Sequence, residues 1–198
     1  MKSLVLDRRG RNIIAGLLTL LGASLSCLLP ATSAQAAPVV WVAKSLQRVG
    51  PQDAAGSGLT AEIRAARGEY ESFQIIVKAS GSSLSNVNVT VSDLTGPNGH
   101  VIPRSNLTLF REHYAYIGQT SPDRGGSNRP LGRGWYADGL IPFADPQTGS
   151  PLANAALRAA PFSLSTSANQ PVWVDVFVPR NATAGAYRGI FTVTSDQG

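Results

Sequence analysis

The sequence is poor in the side chains that hold metals or do thiol chemistry: it has one cysteine, Cys27, and two histidines, His100 and His113. A lone thiol excludes a disulfide framework and a thiolate metal centre, and two isolated histidines make no ligand cluster. Phosphate-cradling chemistry is missing as well, because no Gly-rich loop follows a strand and opens a helix. Gly56-Ser57-Gly58 lacks the spacing of a nucleophile elbow. No cofactor and no metal are therefore expected. Sustained helical periodicity with caps is absent after Ala37.

What is present begins with a leader. Lys2, Arg8, Arg9 and Arg11 stand against Asp7, the stretch from Ile13 to Leu29 is almost wholly apolar, and Ala31 to Ala37 is a run of small residues after Pro30. Basic, apolar and small-residue regions in that order make a secretory signal peptide, expected as a helix over residues 1–36 and cut after Ala36. The competing reading is an uncleaved anchor, for which about 17 apolar residues lie at the short limit. Gly10-Arg11-Asn12 after Arg8-Arg9 argues against twin-arginine export, and Ser24-Leu25-Ser26 before Cys27 against a lipoprotein anchor. The expectation is a secreted or extracytoplasmic protein with no stable membrane span after cleavage.

Loss of the leader removes four of the 17 basic and one of the 12 acidic residues, leaving 13 against 11. So near-neutral a remainder, without a basic stripe, predicts no nucleic-acid partner. It also has no cysteine, so its stability must come from packing, for which one domain over residues 37–198 suffices.

Alternation with period two recurs along that domain. Val39–Val42 opens it; Leu59–Ala65 alternates Leu59, Ala61, Ile63 and Ala65, followed by a turn at Arg67-Gly68. Phe73, Ile75 and Val77 share one face of 70–79, and Val87, Val89 and Val91 share one face of the next strand. Gly96-Pro-Asn-Gly99 reads as a tight turn. Leu107–Ile117 is one long strand or two joined by a bend; Val172, Val174, Val176 and Val178 line one face of 171–178, and Tyr187, Phe191 and Val193 one face of 187–194. Seven or so short strands with polar turns predict an all-β, two-layer antiparallel sandwich of immunoglobulin or fibronectin-like architecture. Residues 118–170 break the rhythm and are expected as one long irregular loop, folded back on the sandwich, with a short helix over 153–160.

Candidate site residues fall in three places. Opposite its valines, strand 171–178 presents Trp173, Asp175 and Phe177, which need a cover: the long loop in the first instance, a neighbouring domain in the second. Trp173 and Phe177, with His113 and Tyr114, are the candidate domain-interface residues. Trp135, Tyr136 and Asp138 combine aromatic faces with a carboxylate, as sugar contacts do, and equally as loop anchors do. Glu69 and Glu71 share a face on an extended strand, but Glu71 is in phase with buried residues, so an ion pair at the sandwich rim with Arg67 or Arg111 is expected rather than catalysis.

Four segments carry a resemblance. Ala66-Arg-Gly-Glu-Tyr-Glu-Ser-Phe-Gln-Ile-Ile-Val77, Leu109-Phe-Arg-Glu-His-Tyr114, Gly134-Trp-Tyr-Ala-Asp-Gly-Leu-Ile-Pro142 and Pro171-Val-Trp-Val-Asp-Val-Phe-Val-Pro179 with Gly185-Ala-Tyr-Arg-Gly189 occur in that order. Together they resemble the N-terminal β-sandwich of secreted proteins related to glycoside hydrolase family 123. In that family the sandwich precedes a (β/α)8 barrel whose adjacent Asp-Glu pair hydrolyses N-acetylhexosamine linkages with help from the substrate's acetamido group. This sequence has no adjacent Asp-Glu pair, so the resemblance implies a fold and a role as leading domain but no catalytic residue. The chain itself is expected to be no enzyme, its partner being a C-terminal catalytic barrel expected after residue 198 and absent from this sequence. A free-standing module that binds glycans through Trp135, Tyr136 and Asp138 is the alternative.

Overall fold

The apolar alternation resolves into strands in a computed structural model that describes residues 3–7, 37–127, 129–150, 152 and 155–198. In chain order the strands are β1 (Ser3–Asp7), β2 (Val39–Lys44), β3 (Ala61–Arg64), β4 (Tyr70–Lys78), β5 (Leu84–Val91) and β6 (Leu94–Thr95). They continue with β7 (Val101–Ile102), β8 (Leu107–Ile117), β9 (Gly134–Pro142), β10 (Phe162–Leu164), β11 (Asn169–Phe177) and β12 (Tyr187–Thr194). Single 3-10 turns at Pro97–Gly99 and Arg104–Asn106 are the helical elements among the described residues, and none is long and apolar enough to cross a membrane.

One sheet runs β2-β4-β11-β8-β9; the other runs β10-β5-β12-β1-β3, with the β6–β7 hairpin attached to β12. Pairing is antiparallel except where β1 lies parallel to β12. The two sheets pack as a sandwich, and the valines and aromatics predicted to point inward do so. Phe73, Ile75, Val77, Val172, Val174 and Val176 from one layer meet Leu84, Val87, Val89 and Phe191 from the other. Leu59 is the exception among them, lying before β3 and exposed. Tyr187 starts β12 as a tyrosine corner: its ring is buried and its hydroxyl donates to the Thr183 carbonyl at 3.0 Å. The predicted turn at Arg67-Gly68 forms, with Gly68 at φ +82 and its N–H bonded to the Val178 carbonyl at 2.6 Å.

Two expectations need correction. Residues 118–170 are not one irregular loop: β9, β10 and the first residues of β11 lie within them, and with β1, β6 and β7 the described residues hold twelve strands where seven or so were expected. The period-two signal of β9 is broken by a register shift opposite His113 and Tyr114, where Asp138 is the extra residue. Of the helix expected over 153–160, residues 155–160 are irregular and 153–154 lie outside the described residues. The leader helix and the cleavage site at Ala36 also lie outside them; of the leader, Ser3–Asp7 is described, as β1.

Candidate functional site

The site is the outer face of the five-stranded sheet. The register stacks its residues in rows across the strands: Trp41, Ile76 and Pro171 in one row, then Ala43, Gln74, Trp173, Phe110 and Pro142, then Ser72, Asp175 and Thr108, then Tyr70 and Phe177. A sheet apolar on both faces needs cover on both. Here the cover divides the face in two.

The segment 45–58 crosses the upper half as a lid held through its own backbone. Gln74, 2% exposed, donates from Nε2 to the carbonyls of Lys44, Ser45 and Gln47 at 2.9, 3.2 and 2.7 Å. Asn169, equally buried, donates to Gly50 and Asp53 at 2.9 and 3.0 Å, and the Tyr114 hydroxyl donates to Val49 at 2.9 Å. At β9 the Arg48 guanidinium stands 4.0 Å over the Tyr136 ring and donates to the Trp135 carbonyl at 3.0 Å. Beneath the lid, Trp41, Ala43, Val49 and Ile76 form a second small core. Gly56 is required there, since a Cβ would sit 2.5 Å from Cδ1 of Trp41.

The lower half has no lid. Trp173 and Phe177 are half-buried there, with Phe110 beside Trp173. The Trp173 indole N–H donates to Asp175 Oδ1 at 2.6 Å, and the Ser72 hydroxyl donates to the same oxygen at 2.5 Å. Tyr70, 65% exposed, packs on Phe177 with ring centroids 4.8 Å apart. Part of the expected loop is β9, which extends the sheet edgewise beyond β8.

The remaining sequence candidates separate. His113 is exposed on the opposite face of β8 from Tyr114, and Tyr114 serves the lid. Trp135 and Tyr136 likewise alternate: Trp135 pairs across the ladder with Tyr116, while Tyr136 is fixed by Arg48 and by its hydroxyl bond to Gly132 at 2.8 Å. Asp138 is exposed at the register shift. Glu71 has no ion pair among the described residues. Arg111, one of the two partners expected for it beside Arg67, pairs with Val172 where Glu71 pairs with Val176, four residues or about 13 Å along β11; it faces Phe162 instead, and burial lowers its pKa. Glu69 turns back to accept the Ala66 N–H at 2.7 Å. Glu71 lines an open cleft of about 610 Å³ with Glu62, Arg64 and Lys44.

Sequence reasoning missed Glu112. It is 5% exposed, its Oε1 has no hydrogen-bond partner, and burial pushes its pKa up to about 7. Burial, then the charges of Glu112 and Asp53, raise the Tyr114 phenol. The missed signal was phase: Glu112 shares a strand face with Phe110, Tyr114 and Tyr116. No three His, Cys, Asp or Glu side chains among the described residues are grouped to hold a metal ion.

Comparison with known proteins places this architecture. No curated protein matches the sequence. A family 123 glycoside hydrolase from Clostridium perfringens, whose structure was solved to detail glycolipid glycan hydrolysis, has a similar fold at a TM-score of 0.51 and 18% identity. The match covers 68% of this chain and 20% of that one, so the chain corresponds to about one-fifth of the larger protein. Residues 45–195, most of the chain and the outer-face residues of β4, β11, β8 and β9, match the glycoside hydrolase 123 N-terminal domain, and the chain belongs to that family.

Proposed function

We propose that this chain is the non-catalytic leading domain of a secreted glycoside hydrolase-like protein, and that the unlidded half of its outer face packs against the catalytic domain. The observation that carries the reading is the division of that face. Its upper half is satisfied by the lid, whereas two aromatic pairs, Trp173 with Phe110 and Phe177 with Tyr70, flank the polar row of Ser72, Asp175 and Thr108 and stay partly or largely exposed. Patches of this kind mark contact surfaces. Asp175 suits the role because Trp173 and Ser72 already hold its Oδ1, so the surface is ordered before a partner arrives.

The test joins the chain to the catalytic domain encoded with it and compares side-chain labelling of Trp173 and Tyr70 with that in the chain alone. Protection of both residues in the joined protein is expected. Equal labelling in the two forms refutes the interface, and hydrolysis of an N-acetylhexosaminide by the chain alone refutes the non-catalytic role.

A further inference from the structure

The β8–β9 hairpin outreaches the sandwich. β11 pairs with β8 over Leu107–Arg111, while β9 stays paired to β8 as far as Ile117. Beyond Arg111 β8 pairs with no strand but β9 among the described residues, with Gln170 donating to the Glu112 carbonyl, and the outer face of this arm carries Tyr116 and Trp135 directly opposite each other. Their ring centroids lie 5.2 Å apart at 59°, with Tyr116 58% and Trp135 48% exposed. Two large aromatics left half in water on a rigid ladder are costly to display without a use.

From this geometry we infer that Tyr116 and Trp135 form a stacking platform for a pyranose ring of a neutral glycan. A sugar has apolar faces and a hydroxyl rim, so it needs a fixed aromatic ring face with polar groups beside it, here the Trp135 indole with Tyr116 inclined to it at 59° as a side wall. The arm supplies both. Trp135 is fixed on three sides: Tyr116 packs on its ring, Arg48 of the lid holds its carbonyl, and Tyr136 behind it is locked to Gly132. Asp138, set out by the register shift, and Arg133 are exposed on the same strand and its approach, offering an acceptor and a donor to hydroxyls. The platform is therefore Tyr116 with Trp135, not Trp135 with Tyr136.

A lipid surface fits less well. A membrane-seeking hairpin carries its apolar residues at the apex, where they enter the interface first. Here the apex is polar: Gln119, Thr120, Ser121 and Asp123 precede its one large exposed apolar side chain, Leu131, and Arg129 is ion-paired to Asp123. The aromatics lie back from it on the ladder.

The inference rests on the leading-domain reading only for the presence of glycans near the domain; its residues are not those of the proposed interface. The test titrates the 198-residue chain with neutral N-acetylhexosamine oligosaccharides by calorimetry, with anionic vesicles in parallel. Saturable glycan binding that persists in high salt is expected. Trp135→Ala and Tyr116→Ala each weaken it about tenfold, Trp135→Phe retains part of it, and Val101→Ser, an exposed apolar position elsewhere, leaves it unchanged. Three results overturn the platform: no glycan binding, binding indifferent to both substitutions, or salt-sensitive binding to vesicles alone. None of them bears on labelling at Trp173 and Tyr70, so failure here and failure of the interface are separately visible.

Discussion

Replacing Glu112 with glutamine should make the protein more stable at neutral pH and leave it unchanged in acid. The carboxyl is 5% exposed, its Oε1 has no partner, and its pKa stands at about 7 against an ordinary 4.5. Because the folded-state value is the higher one, the folded protein keeps its proton while the unfolded chain has already lost it. Below about pH 4.5 both forms are protonated and the site costs nothing; between 4.5 and 7 the unfolded chain gains the advantage and stability falls; above 7 the loss is constant. A shift of that size corresponds to about 3 kcal/mol, and solvent relaxation under a surface lid reduces it to roughly 2 kcal/mol. Glutamine keeps the shape and removes the ionisation. In thermal unfolding followed by circular dichroism, Glu112→Gln should melt about 4–8 °C above the parent at pH 7.5. The gain should shrink through pH 5.5 and vanish near pH 4. A gain that persists unchanged in acid, or a variant no more stable than the parent at pH 7.5, refutes the assignment of a buried, reluctantly ionised carboxyl.

Other consequences follow from the lid and the sheet edges. Gln74→Ala strips the donor from the lid carbonyls of Ser45 and Gln47 and from Lys44 at the end of β2, and should cost about 1–3 kcal/mol in denaturant unfolding; a neutral effect would mean the lid does not depend on this side chain. Gly56→Ala places a methyl group against the Trp41 indole and should cost roughly 1–3 kcal/mol, with Trp41 fluorescence shifting to the red as the lid lifts. An unshifted spectrum would show that the lid is held elsewhere. A chain starting at Ala37 lacks β1, which pairs with β3 and β12 on its two sides. Its Ala61–Arg64 amides should exchange faster than in the full chain while those of β11 stay protected, and equal protection at β3 would show that it closes directly onto β12.

Legibility of this fold followed parity. β4, β11 and β12 were readable because their inward-facing residues hold one phase from end to end, so a single core-face assignment serves the whole strand. β9 was not, since the extra residue at its register shift moves Leu140 and Trp135 onto one face from positions of opposite parity. Glu112 was hidden by its charge, although its phase with Phe110 and Tyr114 pointed to burial. The lid was illegible for a different reason. Apart from Leu46, Arg48 and Val49, residues 45–58 are small or polar and bind the sheet chiefly with carbonyl oxygens, which every residue has, so no side-chain pattern announces them.

The two halves of the outer face solve one problem in two ways, and the difference separates structure from recognition. Over the upper half, buried Gln74 and Asn169 point their amides at the lid, an arrangement that fails if the lid leaves, because the desolvated amides would lose their partners. That half is committed to its cover. Over the lower half the polar requirement is met within the strands, Trp173 and Ser72 both satisfying Asp175, and the aromatics are half-buried before anything docks. Such a surface survives exposure and still gains from burial, the combination that a contact between domains of one polypeptide demands. The aromatic arm stands apart from both, held by the lid through Arg48 but covered by neither half. One segment thus seals the core beneath it and fixes Trp135 in place, so loosening it at Gly56 should weaken glycan stacking on the arm before it affects contact at Trp173.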